Sequence, residues 1–213
     1  MRALSVASMI RRAVSAGQYA PGAKLNEVAT AERLGVSRNT LREGFALLDA
    51  DGIIDRVPNR GVFIATPTPE SVRDLYRARE IVEPAALRWG RNLDSAALDA
   101  MDGAVHSAET ALVDGDFTAV GLGNQKFHRA VVAAAGSALL DEEVERLLAR
   151  MRLVFLLAER ANAEFHRPFV AVNRTITDLA MSGDREAAAD RLRESITSTG
   201  SDLEHLVTLF RTE

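Results

Sequence analysis

Glu27-Val28-Ala29-Thr30-Ala31-Glu32-Arg33-Leu34-Gly35-Val36-Ser37-Arg38-Asn39-Thr40-Leu41-Arg42-Glu43 reads as two short helices that meet at a glycine. Val28, Ala31 and Leu34 give the first helix an inward stripe, Gly35 permits a left-handed backbone at the corner, and Val36 plugs the angle between the helices. Ser37 caps the second helix. A helix N-terminus presents unpaired N–H groups that suit a phosphate, and in a DNA-reading helix the residues just after the cap reach the base edges. Arg38 and Arg42 lie four apart on one face with Asn39 and Thr40 beside them, while Leu41, Phe45 and Leu48 face a core. Two arginines on a helix ordinarily mean only a solvated face. Here they follow a glycine corner and a serine cap.

Outward from this stretch, three short helical segments in all precede an alternating run: Ile53-Ile54-Asp55-Arg56-Val57, then Pro58-Asn59-Arg60-Gly61, then Val62-Phe63-Ile64-Ala65. The alternation and the turn residues predict a β-hairpin. Its tip, Asn59-Arg60-Gly61, puts a guanidinium where it can enter a minor groove or grip phosphate, a contact poor in sequence information and sensitive to salt. The whole constellation is that of a helix-turn-helix with a wing, and duplex DNA is the partner it suits.

A boundary follows at Thr66-Pro67-Thr68-Pro69-Glu70, where two prolines disfavour helix before them and Thr68, Pro69 and Glu70 supply a cap, a first-turn proline and an acid matched to the helix dipole. Beyond it the chain is helical by period. Asp94, Gly115-Asp116, Gly136-Ser137 and Gly183-Asp184 punctuate six predicted helices over 69–91, 95–114, 117–135, 138–160, 166–182 and 185–211, the last open to a break at Gly200. The expected class is mainly α: a winged helix-turn-helix of three helices plus a β-hairpin over residues 1–66, then an all-helical six-helix bundle over residues 67–213.

Charge divides at the same place. The chain carries −4 overall, yet residues 1–66 hold nine Lys+Arg against six Asp+Glu, a net +3, which leaves −7 for the remainder. The basic portion can meet phosphates while the acidic one does something else. No stretch approaches the roughly 18 uninterrupted apolar residues that a membrane helix needs, and the arginines of MRALSVASMIRRAV fall inside its apolar segment rather than before a signal-type core. A soluble, cytoplasmic protein with no membrane partner is expected. Without cysteine there is no disulfide or thiolate metal site.

The whole chain resembles the GntR family of transcription regulators, specifically its FadR-type subgroup with a C-terminal ligand-sensing (FCD) domain. The segments that carry the resemblance are Pro21-Gly22-Ala23-Lys24-Leu25, Glu32 to Arg38, Leu41-Arg42-Glu43, Leu47 to Ile54, Pro58-Asn59-Arg60-Gly61 and Leu75 to Glu83. The resemblance implies a cytoplasmic homodimer, most often a repressor, that binds a palindromic DNA operator and responds to a small-molecule effector, an organic acid by family precedent. It makes Ser37, Arg38, Asn39, Thr40, Arg42, Asn59, Arg60 and Gly61 the expected DNA contacts. Gly44 departs from the usual alanine and is expected to loosen the C-terminal half of its helix by about 1 kcal/mol.

Sensor domains of this type commonly hold a divalent metal with Asp or Asn and His at i and i+4, plus a His from each of two later helices. Asn124 and His128 match the first pair, but aligned on Gly183-Asp184 the second and third histidines fall on Asn173 and Ser195. An amide and a hydroxyl are poor substitutes for imidazole on a borderline-soft ion. The expectation is therefore no tightly bound cofactor or metal, with Asn124 and His128 only weak candidates. Instead Asn124, His128, Asn173 and Ser195 would form a polar effector pocket, with Arg79 available to pair with a carboxylate. The bland alternatives are a satisfied core histidine at His128 and an Arg79–Glu83 intrahelical pair. Asp102 with His106, and also His166 and His205, align with no family ligand and are expected in solvent. Two rival functions are a constitutive DNA-binding regulator with a degenerate sensor, and a helical-bundle enzyme using His128. No catalytic triad order or phosphate loop supports the second.

Overall fold

The computed structural model describes the backbone of residues 3–212 and the side chains of residues 3–210. Residues up to Pro67 together with Leu148–Leu157 make one compact unit, and Thr68–Leu147 with the residues from Ala158 onward make another.

The first unit contains α1 (Ala3–Ser15), β1 (Lys24–Leu25), α2 (Glu27–Leu34), α3 (Arg38–Ala50), β2 (Ile54–Val57) and β3 (Gly61–Ile64). Val6, Ile10 and Val14 recur every fourth residue on α1 and are buried against Leu41, Phe45 and Leu48 of α3. Ala149 and Leu153, from the Leu148–Leu157 stretch, belong to the same core. The corner forms as its sequence predicts, Gly35 taking φ 63° and Ser37 capping α3, and Asn26 caps α2, a cap not expected from the sequence. The inward stripe of α2 differs from expectation, because Val28 is 48% exposed whereas Thr30 is 6% exposed. On so short a helix a shift of the buried arc by half a turn suffices to exchange them. The hairpin is joined by a third strand that the sequence did not announce. β1, only two residues long, pairs antiparallel with β3 in the order β1-β3-β2.

Gly44 serves a different purpose from the one expected. It is buried, and a Cβ there would lie 2.6 Å from Val6 Cγ1, so its missing side chain lets α1 and α3 approach closely.

The second unit contains α4 (Pro69–Trp89), α5 (Ser95–Val113), α6 (Phe117–Ala133), the ends of α7 (Ala138–Ala161), α8 (Arg167–Met181) and α9 (Arg185–Thr212). Every start but that of α8 carries a side-chain cap: Thr68 with Ser71 in a reciprocal capping box, then Asp94, Asp116, Ser137 and Asp184. Helix α4 packs along α9, α5 against α6, and α8 against α5 and α9. Helix α9 runs unbroken through Gly200. A Cβ at that position would meet the Tyr76 ring of α4 at 2.8 Å, so the glycine is there for close packing and not as a break. Among the described residues no helix is long and apolar enough to cross a membrane.

Candidate nucleic-acid interface and the polar interior of the helical unit

The start of α3 presents a cap and a row of polar groups. Ser37 Oγ accepts from the Thr40 N–H at 3.1 Å and lies 2.9 Å from Thr40 Oγ1, which holds the first turn and leaves the N–H groups of Arg38 and Asn39 outside the helical ladder. Ser37, Arg38, Asn39 and Arg42 are exposed and Thr40 is half-buried. Asn39 Nδ2 donates to Glu43 Oε1 at 2.8 Å, and Arg42 Nε donates to Glu27 Oε2 at 2.9 Å. Among the described residues no hydrogen bond or ion pair engages Arg38. Its guanidinium stands in water with all its donors available.

The hairpin tip is exposed at Asn59, Arg60 and Gly61. Asn59 adopts φ 59° and Gly61 φ 111°, the conformations that close the turn. Two features of this region lay beyond sequence reasoning. Lys24 on β1 and Arg60 both lie over the Phe63 ring, at 5.8 and 5.7 Å, so the wing carries a pair of cations on one aromatic. Arg56 on β2 donates from Nη2 to the Arg42 carbonyl at 2.8 Å and so ties the wing to α3.

The interior of the second unit is polar in another way. Arg79 and Glu83, on α4, form an i,i+4 pair at 2.6 Å with both side chains buried. Glu83 Oε2 also meets His128 Nδ1, on α6, at 2.6 Å, and Arg79 Nη2 lies 3.2 Å from His128 Nε2. Burial alone would raise the Glu83 carboxyl, but Arg79 and then His128 outweigh it and hold it down at about 2. Burial lowers His128 and favours its neutral ring, which donates from Nδ1 to Glu83 while Arg79 Nη2 lies 3.3 and 3.2 Å from its two nitrogens. The triad is then one cation, one anion and one neutral ring, a set whose charges cancel. Burial also pushes the Tyr76 phenol, stacked at 4.7 Å from the Arg79 guanidinium, up to about 12. Beside the triad, Asn173 Nδ2 on α8 donates to Asn124 Oδ1 on α6 at 2.8 Å.

Of the five residues expected around an effector, Arg79 and His128 are buried and bonded to each other, as are Asn124 and Asn173, while Ser195 is half-buried on α9 and lines a separate cleft. These donors do not fit a divalent metal. The Asn124 oxygen is taken by an amide, the His128 nitrogens face a carboxylate and a guanidinium, and among the described residues no three His, Asp or Glu side chains converge on one point. His106 and His205 are exposed as expected, and Asp102 is bonded to Arg174 at 2.5 Å. His166 corrects its expectation. It is fully buried, with Nε2 2.8 Å from Glu159 Oε1 and its ring edge-on to Phe165. The aromatic neighbours and Gly121, whose absent side chain makes room for the ring, draw it inward.

Residues 2–64 match the bacterial regulatory proteins of the gntR family, and residues 74–198 match the FCD domain. An HTH-type transcriptional regulator from an unstable DNA locus of Streptomyces ambofaciens is 28% identical over 92% of this chain and 83% of its own. The HTH-type transcriptional repressor GlaR of Escherichia coli is 26% identical over 84% of this chain and 86% of its own. The crystal structure of a transcriptional regulator GntR from Rhodococcus sp. RHA1 superposes with a TM-score of 0.82 at 32% identity, covering 94% of this chain and 96% of that one. These relatives are regulators of transcription and not enzymes. With its winged helix-turn-helix followed by an FCD domain, the chain belongs to the GntR family of DNA-binding transcription regulators.

Proposed function

We propose that this regulator is a ligand-responsive repressor that binds a palindromic operator as a cytoplasmic homodimer, with its effector in the helical unit. Ser37, Arg38, Asn39, Thr40 and Arg42 read the major groove, and Asn59, Arg60 and Gly61 hold the adjacent backbone or minor groove. The observation that carries this reading is the free guanidinium of Arg38 at an exposed, capped helix start, the position from which bidentate contacts to guanine are made. Arg42 exchanges its exposed Glu27 partner for DNA at little cost, since such surface pairs contribute roughly 0–1 kcal/mol. Two copies present their α3 helices to half-sites about 34 Å apart. An effector changes operator affinity only by preferring one arrangement of the dimer over another.

Gel-shift titration with an operator fragment tests the interface. Arg38→Ala is expected to weaken binding by about ten- to a hundredfold, equivalent to roughly 1–3 kcal/mol. Unchanged affinity in both Arg38→Ala and Arg42→Ala ends the assignment.

The mutual bonding of Arg79, Glu83 and His128 favours a second reading, a regulator that binds its operator constitutively. Arg79 is already committed to Glu83 and His128, so a carboxylate effector finds no free partner there. Operator affinity indifferent to every added small molecule distinguishes this reading from the first.

A further inference from the structure

The C-terminal end of α7, the first turns of α8 and the middle of α9 enclose a cleft of about 530 Å³ that shares no lining residue with the Arg79–Glu83–His128 cluster. That volume lies within the roughly 300–1,000 Å³ of pockets that bury small organic molecules. Its apolar wall is Phe165, Phe169, Val172, Leu203 and Leu206. The Phe165 and Phe169 rings meet edge to face at 5.2 Å, and both lie edge-on to the buried His166, which Glu159 fixes from behind. An aromatic surface held in this way is formed before any ligand arrives, which lowers the entropy that binding must overcome.

The mouth is acidic. Three carboxylates, Glu164, Glu194 and Asp202, line it against one guanidinium, Arg191. Arg167 pairs with Glu164 at 2.6 Å and Arg191 reaches Glu194 at 3.5 Å. Among the described residues no hydrogen bond or ion pair engages Asp202. A carboxylate ligand would meet like charge with no uncommitted cation to offset it, whereas an ammonium gains both the open carboxylate and the faces of the two rings. Ser195, Ser198 and Thr199 add hydroxyls that accept from an N–H donor.

We propose that this cleft binds a small amphiphile with a cationic amine head and an apolar, preferably aromatic, body. The body lies on Phe165, Phe169 and Leu206 and the ammonium sits at the Asp202 edge. Resting on the ligand-responsive reading above, this is the effector site, and its ligand class is an amine and not the organic acid that family resemblance implies.

The test is calorimetric titration of the full chain with phenethylamine and with hydrocinnamate, which share a ring and a two-methylene arm and differ only in the sign of the head group. The amine is expected to bind with one site per chain, about tenfold tighter than the acid, a ratio set by the modest strength of exposed charge pairs. Asp202→Asn should bring the two ligands level. Ser198→Trp, an exposed helix position where an indole would fill the cleft, should abolish binding at an unchanged Tm. Equal or tighter binding of hydrocinnamate overturns the ligand class, and undiminished amine binding in Ser198→Trp overturns the site. Operator titration with saturating phenethylamine separates this proposal from the reading beneath it. Amine bound with operator affinity unmoved counts against ligand response and leaves the site standing, whereas operator affinity that responds to another compound while no amine binds removes the site alone.

Discussion

On α3 the side chains of Arg38, Asn39 and Arg42 stand in water with hydrogen-bond capacity to spare. On α4 Arg79 and Glu83, at the same four-residue spacing as Arg38 and Arg42, are buried and consumed by each other and by His128. Helix periodicity treats the two faces alike. What separates them is burial: Asn39 and Arg42 bond Glu43 and Glu27 in water and can exchange them, whereas donors and acceptors matched inside the core are architecture. The second region also shows why residues that align with a family's ligand set do not by themselves make a pocket.

The largest expected effect breaks the interior. Glu83→Gln leaves the Arg79 guanidinium buried without a counter-charge and should lower unfolding free energy by about 3–5 kcal/mol in urea denaturation. The same carboxylate fixes an acid dependence. Its folded value of about 2 lies below the ordinary 4.5, so its contribution is complete above pH 4.5 and is lost as pH falls toward 2. His128 has a folded value below the ordinary 6.5, so the unfolded chain takes up that proton first and stability begins to fall once pH drops beneath 6.5. Stability measured against pH should decline over both ranges in the native protein and lose its lower portion in Glu83→Gln.

A smaller effect tests the frame that carries the exposed face. Gly44→Ala should gain about 1 kcal/mol from helix propensity. The added methyl would sit 2.6 Å from Val6 Cγ1, and such overpacking costs about 1–3 kcal/mol, so a net loss in thermal unfolding is expected. Val6→Ala in the same chain should recover part of it. The smallest effect sharpens the outer region itself. Arg60→Ala should leave stability within about 0.5 kcal/mol, weaken DNA binding evenly across sequences and reduce the salt slope by about 1, read from affinity against salt concentration.

Much of this comparison was legible before any coordinates. Ser37, Thr68, Asp94, Asp116 and Ser137 each announce a helix start through a local side-chain bond to the backbone, and all five do so here within one or two residues of where the pattern puts them. The glycine corner, the exposed polar face of α3 and the hairpin follow from equally local rules. What was not legible depends on contacts between distant segments. Gly44 and Gly200 look like helix weaknesses until Val6 and Tyr76 are seen to occupy the space beside them. His166 looks solvated until Gly121 and two phenylalanines enclose it. Lys24-Leu25 is too short to signal a strand and becomes one only because β3 offers it an edge. At Arg79 and His128 the bland alternatives read from the sequence, an Arg79–Glu83 pair and a satisfied core histidine, are what the fold contains, whereas the Asn173–Asn124 bond between α8 and α6 had no local signal.

The strut from Arg56 to the Arg42 carbonyl makes the reading head behave as a calliper with one jaw locked. A movement that swings α3 carries β2 and the tip at Arg60 along with it, so on the proposed DNA contacts the offset between base-reading and backbone-gripping groups holds while the whole head tilts. On the proposed DNA contacts, sequence preference then changes by exchanging side chains on a fixed gauge, since re-spacing the contacts requires breaking both this bond and the Arg56–Asp49 pair at 3.8 Å.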